Sequence, residues 1–289
     1  MLTIPFAPAV DSARSAPAWP VAKRIRNAAA RSLLQELLTY PKPGLVSLVD
    51  TGSHADMDST TFVRSTLALR RYFEEAARAG RDGAPFETLR QLGIAAEARM
   101  LRATRGINTH RGAIFNLGLL AAAAGGREAA SDARVQATLG ERVRQTWGHA
   151  ISKHRRHASS NGSRVSVRHA VGGAQGEAAA GFPSIYGIGL PAYRAALSQG
   201  GSANQARIQA FFALMAQLTD TNLLHRGGTG GLAYARDSAA QFLADGGVFQ
   251  SHWRERAAAL HRAFCLRRLS PGGSGDLLAA CLFVHEIEG

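Results

Sequence analysis

The sequence predicts an all-α fold, a single multi-helix domain. Three observations carry this. Apolar residues recur at helical spacing along most of the chain, strand-like alternation is confined to Val165 and Val167, and no β-α-β alternation or G-x-x-x-x-G-K-[ST] loop occurs. A chain of 289 residues buries about 75% of its unfolded surface, enough for a core that needs no disulfide or metal. With 46% hydrophobic and 19% charged residues, the composition excludes a disordered or collagen-like chain.

Residues 1–20, with Pro5, Pro8, Pro17 and Pro20, read as a loose tail ahead of an all-helical domain over 21–289. Ile25, Ala29, Leu33 and Leu37 recur every four residues and form the first amphipathic helix, which Tyr40-Pro41-Lys42-Pro43-Gly44 ends. After a polar loop, Ser59 or Thr60 caps a second helix carrying Phe62, Leu67, Leu69, Tyr72 and Phe73, broken at Gly80–Gly83. Pro85 opens a third, through Leu89, Leu92, Ala96 and Met100. A polar loop over 104–112 leads into Ala113–Ala124, apolar nearly all round and therefore central. A helix is expected from Asp132 to about Ser152, then a basic, irregular stretch over 153–169 with room for a short strand, then a Gly-rich loop over 172–184. Further helices are expected over Pro191–Ser198, Asn204–Leu218, Gly231–Leu243, Phe249–Phe264 and Asp276–Val284.

The net charge is +13, and Lys23, Lys42 and Lys153 are the only lysines, so arginine supplies nearly all the positive charge. Abundant Ala, Arg and Gly accounts for that total as a genomic bias. A polyanionic ligand has to be argued from particular arginines, whose forks bind phosphate in a bidentate way. Cys265 and Cys281 lie in apolar stretches, as core residues of a reducing compartment do. No apolar run reaches the ~18–20 residues that span a bilayer, and no basic segment precedes an apolar core at the start. A cytoplasmic location without membrane contact is expected.

Polar residues gather in five Gly-rich junctions, each read as standing just before an apolar helix, where outward-pointing backbone N–H groups favour anions. In the first, Lys42 stands between two prolines and is a candidate phosphate contact; a solvated helix-end lysine is the plain alternative. The second, His54-Ala55-Asp56-Met57-Asp58, offers two carboxylates for a hard cation such as Mg²⁺ or for a general base, or simply for helix capping. Asn108-Thr109-His110-Arg111-Gly112 suits phosphate or base-edge recognition, with a cap at Asn108 or Thr109 as the alternative. Glu177, among glycines, is a candidate base or metal ligand, or a surface glutamate opening a helix. The fifth joins Asp220 and Asn222 to His225-Arg226-Gly227-Gly228, an anion pocket or a helix stop. No G-x-S-x-G elbow and no zinc-ligand spacing is present.

Six segments, in order, resemble the triphosphoribosyl-dephospho-CoA synthases. They are PKPGLV (41–46), GSHADMDSTTF (52–62), NTHRGAIFNLGLL (108–120), GGAQGEAAAGFPS (172–184), DTNLLHRGG (220–228) and SPGGSGDLL (270–278). The NTHRGAIFNLGLLAAAAG wording and the compact length look most like the malonate decarboxylase branch. Two positions depart from the family pattern: Gln175 stands where a basic residue is usual, and Gly275 where Ala is frequent. The resemblance implies an all-α enzyme that transfers the 5-triphosphoribosyl group of ATP to the ribose 2′-hydroxyl of 3′-dephospho-CoA and releases adenine. The product would pass to a prosthetic-group transferase and the acyl carrier subunit of malonate decarboxylase.

Under that reading Asp56, Asp58 and Asp220 would bind Mg²⁺ carried with ATP, and Asp56 or Glu177 would act as base. Lys42, Arg111 and Arg226 would hold phosphates. His54, His110 and His225 would contact phosphate or protonate adenine, and Asn108 and Asn222 would bind substrate. Two polyanionic substrates would call for a basic cleft. Two other readings compete. A nucleotide N-glycohydrolase would use water in place of the CoA hydroxyl. A nucleic-acid-binding protein would rest on a pI near 11.0 and the stretch Lys153-His154-Arg155-Arg156-His157, but few aromatics (7%) are at hand to stack on bases.

Overall fold

The computed structural model describes residues 18–129, 137–154 and 172–289. These form eleven α-helices, and no strand occurs among the described residues. They are α1 (Ala18–Leu38), α2 (Ser59–Arg81), α3 (Phe86–Ala103), α4 (Arg111–Ala129), α5 (Leu139–Lys153) and α6 (Gly173–Ala179). A single π turn (Ile185–Gly189) then runs into α7 (Leu190–Ser198), followed by α8 (Ala203–Gln217), α9 (Thr221–Ala244), α10 (Trp253–Leu266) and α11 (Gly272–Glu288). None is long and apolar enough to cross a membrane.

The all-α expectation therefore holds, and the differences are local. The expected tail lies outside the described residues up to 17, while α1 already includes 18–20. The start of the expected helix at Asp132 and the basic stretch from 155 onward also lie outside the described residues; α5 begins at Leu139, where Thr138 and Glu141 form a capping box. The Gly-rich segment read as loop contains α6. The fifth junction does precede the expected helix, but it is itself helical: it forms the first part of α9, which breaks where Gly228 takes a left-handed φ of 62°, a value glycine adopts without steric cost, and the second part of α9 follows.

α4 is the central element, as its all-round apolar pattern requires: Ala113, Leu117, Leu120, Ala121, Ala122 and Ala124 are all buried. It crosses α2 backbone to backbone. A Cβ on Gly80 would stand 1.8 Å from the Ala122 carbonyl oxygen, and one on Gly125 would stand 1.9 Å from that of Ala77. α11 is likewise buried along most of its length, from Leu277 to Val284. On the far side Phe212 of α8 stacks on Phe242 of α9 with ring centroids 4.0 Å apart. Two buried, nearly featureless helices thus run through the core. Their N-terminal turns, at Arg111 and Gly272, are where polar chemistry collects.

Candidate active site

A cleft of about 1430 Å³ is lined by both of these N-terminal turns, by the end of α1, by loop 45–57, by α6 and by the start of α9. Of the residues expected from the sequence, His54, Asn108, His110, Arg111, Glu177, Asp220, Asn222, His225 and Arg226 line it. Lys42, Asp56 and Asp58 do not.

His54 and Arg226 form one unit. Arg226 donates to His54 Nδ1 (3.1 Å) and to the carbonyls of Ser53 (3.2 Å) and Arg268 (3.3 Å). Because Nδ1 accepts, Nε2 carries the ring proton and donates to Ser270 Oγ at 2.9 Å. Burial, and then the Arg226 charge, lower the His54 pKa, so the ring is neutral and the guanidinium supplies the positive charge.

His110 is buried, with Nδ1 2.6 Å from Ser65 Oγ and its ring edge-on to Phe62. Burial first, then the charge of Lys42, bring its pKa down to about 3. It is a neutral hydrogen-bonding group, and the expected adenine-protonating role does not suit it. Asn108 accepts the Arg111 backbone N–H (3.2 Å) and thereby caps α4. Arg111 pairs with Glu97, Nε to Oε1 at 2.6 Å, and Arg90 on the same wall pairs with Glu87. The lining is thus mixed rather than basic, with Arg226 as the arginine that lacks a hydrogen-bonded carboxylate.

Glu177 is set by a tight return of the chain. Gly181 and Phe182 both take positive φ (85° and 61°), which brings Ser184 back so that its N–H (2.7 Å) and Oγ (3.0 Å) bond the two carboxylate oxygens. Burial raises the Glu177 pKa while these bonds oppose the rise.

Asp220 caps α9 through the N–H groups of Asn222 (2.8 Å) and Leu223 (3.3 Å) and accepts from Ser274 N (3.0 Å) and Oγ (3.3 Å) at the start of α11. Four donors fill the roughly four lone-pair sites of a carboxylate, so this residue ties two helices and has little capacity left for a metal. Lys42 is fully buried; its ammonium pairs with the Glu36 carboxylate and donates to the Glu36 carbonyl at 2.6 Å. A buried ammonium requires such a counter-charge, which takes Lys42 away from the expected phosphate role. Asp58 is the N-cap of α2, accepting from Thr61 N at 2.8 Å, and Asp56 is exposed, 3.7 Å from His54 Nδ1. Among the described residues no group of three or more His, Cys, Asp or Glu side chains is placed to hold a metal ion.

The sequence model of the CitG family, ATP:dephospho-CoA triphosphoribosyl transferase, matches residues 22–289. This chain belongs to that family. It is 40% identical over 269 residues to "Probable 2-(5''-triphosphoribosyl)-3'-dephosphocoenzyme-A synthase" of Acinetobacter calcoaceticus, covering 92% of each chain. It is 37% identical over 287 residues to the 2-(5''-triphosphoribosyl)-3'-dephosphocoenzyme-A synthase of Escherichia fergusonii, covering 96% of this chain and 95% of that one. No solved structure matches the chain.

The cleft of this transferase also contains groups that sequence reading passed over. Asp276 lies on the first turns of α11, accepts the Ala113 N–H of α4, and has its Oδ2 packed against Gly112, where a Cβ would stand 1.9 Å away. Burial, then the neighbouring Glu36 and Asp220 carboxylates, raise its pKa well above the usual range. Asn116 is buried, and its carboxamide oxygen has no partner. The glycine run before Asp276 was the available signal: Gly275 and Gly273 let α11 pass between Glu36 and Asp220, the former's ideal Cβ falling 3.3 Å from Glu36 Oε1 and the latter's 3.0 Å from Asp220 Oδ2. Gln175 donates to the carbonyls of Ile151 and His154 (2.7 Å for the second) and so closes the C-terminal end of α5.

Proposed function

We propose that this transferase joins the 5-triphosphoribosyl group of ATP to the ribose 2′-hydroxyl of 3′-dephospho-CoA, with release of adenine. The observation that carries the reading is the family match over 22–289, nearly the whole chain. The cleft supports it. At about 1430 Å³ it exceeds the ~300–1,000 Å³ usual for one small ligand, which suits two nucleotides.

Glycosyl transfer builds positive charge on the anomeric carbon and frees a proton from the attacking hydroxyl. Glu177 is the group for that proton. Ser184 fixes its orientation and favours the ionised form, while burial keeps it basic enough to accept. Arg226, braced by His54 and two backbone carbonyls, offers its positive charge to the triphosphate. Mg²⁺ enters as part of the MgATP substrate, since Mg²⁺ is usually held by substrate phosphates and one or two carboxylates. The NTHRGAIFNLGLLAAAAG wording favours a product destined, through a prosthetic-group transferase, for the acyl carrier subunit of malonate decarboxylase.

Incubation with ATP, Mg²⁺ and 3′-dephospho-CoA, followed by mass spectrometry, tests the reading. The expected result is the triphosphoribosyl adduct and one adenine per turnover, with a Glu177→Gln variant about 10²–10⁴-fold slower. Equal adenine release from ATP alone would instead identify an N-glycohydrolase. Transfer of the product to the malonate decarboxylase carrier protein, and not to a citrate lyase carrier, tests the branch.

A further inference from the structure

Three of the five buried side-chain polar atoms without a partner among the described residues fall within one short stretch lining the cleft: Thr109 Oγ1, His110 Nε2 and Asn116 Oδ1. Buried polar groups are nearly always paired, so such a concentration points to a ligand that completes them. Gly112 and Asn116 are four residues apart on α4 and share a face. The Asp276 carboxyl is packed on that face at Gly112. Ser65 Oγ has His110 Nδ1 as its hydrogen-bond partner; the hydroxyl satisfies its own proton by donating, which leaves Nε2–H as an unpaired donor. One wall thus offers an unpaired acceptor, an unpaired ring N–H donor and a carboxyl. A purine with an exocyclic amino group and sp² ring nitrogens complements all three.

The carboxyls here divide their roles by their partners. Asp220 accepts from four donors, which oppose the rise that burial causes in its pKa, and Glu36 is paired with Lys42. Asp276 receives a single backbone donor and faces both of these carboxylates. It is the member of the group that keeps its proton.

We propose that the wall between α4 and α11 is the adenine subsite of the reaction put forward above, and rests on that reading, with Asp276 protonating the departing base at N7 and Asn116 accepting from its 6-amino group. In the step, the C1′–N9 bond breaks and its electron pair enters the purine. N7 takes the Asp276 proton, and neutral adenine leaves. The acceptor 2′-oxygen bonds to C1′ and gives its proton to Glu177. Solvent then moves one proton from Glu177 to Asp276, which restores both. The burial and charge that raise the Asp276 pKa favour this assignment at neutral pH.

The test pairs kinetics with equilibrium binding on the full chain. Asp276→Asn keeps the shape and the acceptor for Ala113 N–H but cannot give up a proton. Expected are a fall in kcat with ATP of at least about 100-fold, an unchanged KM for dephospho-CoA and an unchanged thermal midpoint. 7-Deaza-ATP, which has no N7 to protonate, should react slowly and at the same rate with wild type and Asp276→Asn. By calorimetry, free adenine should bind wild type at least about tenfold tighter than hypoxanthine, and Asn116→Leu should erase that preference. The proposal is overturned if Asp276→Asn stays within about threefold of wild type on ATP, if wild type turns over 7-deaza-ATP as fast as ATP, or if hypoxanthine binds as tightly as adenine. If wild type binds adenine with the Asn116-dependent preference but releases none from ATP and dephospho-CoA, the subsite stands and the transfer reaction falls.

Discussion

The loop at 54–58 and the first turns of α11 both carry aspartates beside one cleft, and the protein treats them oppositely. Asp56 and Asp58 are exposed; Asp58 is used as the cap of α2, and its bonds to Thr61 hold its carboxyl below the usual range. Asp276 sits deep, between two other carboxylates, and is pushed well above that range. The motif-dense loop supplies a fold signal, and the plain glycine run supplies the electrostatically loaded group. Residue type alone does not separate the two; the number of donors and of neighbouring charges does.

The contrast can be broken by removing what sustains the buried side. Lys42→Met leaves Glu36 buried without its counter-charge next to Asp276, and should destabilise the protein by about 3–5 kcal/mol in urea unfolding, with Glu36→Gln in the same chain recovering part of the loss. Gly112→Ala tests the close approach of Asp276. A helical Gly→Ala change ordinarily gains up to about 1 kcal/mol, but here the added methyl meets the carboxyl and should cost about 1–3 kcal/mol by the same assay. His110 sharpens the comparison through pH. Its pKa is near 3 when folded against 6.5 when free, so the unfolded chain binds the extra proton between those values. Stability is therefore full above about pH 6.5 and is lost as pH falls toward 3, and His110→Gln should flatten that part of the curve in thermal melts. The smallest effects belong to the exposed loop. Asp56→Asn should leave adenine release within about twofold, and Asp58→Ala should lower the melting midpoint slightly through the lost cap without changing kcat. A large kcat loss in either would return the chemistry to loop 54–58.

Much of this fold was legible in the sequence. Periodicity placed the helices from α1 to α4 and from α7 to α11 with shifts at their ends, and the apolar wording of 113–124 identified the central helix correctly. What the reading of glycine missed was short helix. Arg226-Gly227-Gly228 read as an anion pocket or a helix stop, and α9 does break at Gly228, but the segment before the break is helical from Thr221, capped by Asp220, as is Gly173–Ala179. The site was legible as a gathering place: nine of the twelve expected side chains line one cleft. Lys42 was misjudged because its partner, Glu36, lies in what reads as an ordinary amphipathic helix. Asn116 was hidden among apolar neighbours and Asp276 behind a Gly–Ser run; each acquires its meaning only across α4 and α11.

The carboxyl cluster has one more consequence, for biosynthesis. Glu36 comes from the first described helix and Asp276 from the last, while Gly112, between them, belongs to the centre of the chain. On the ribosome, α11 emerges after α1 and α4 and docks onto both. The carboxyl cluster therefore closes only once α11 has docked, and a chain stopped before Asp276 never assembles it.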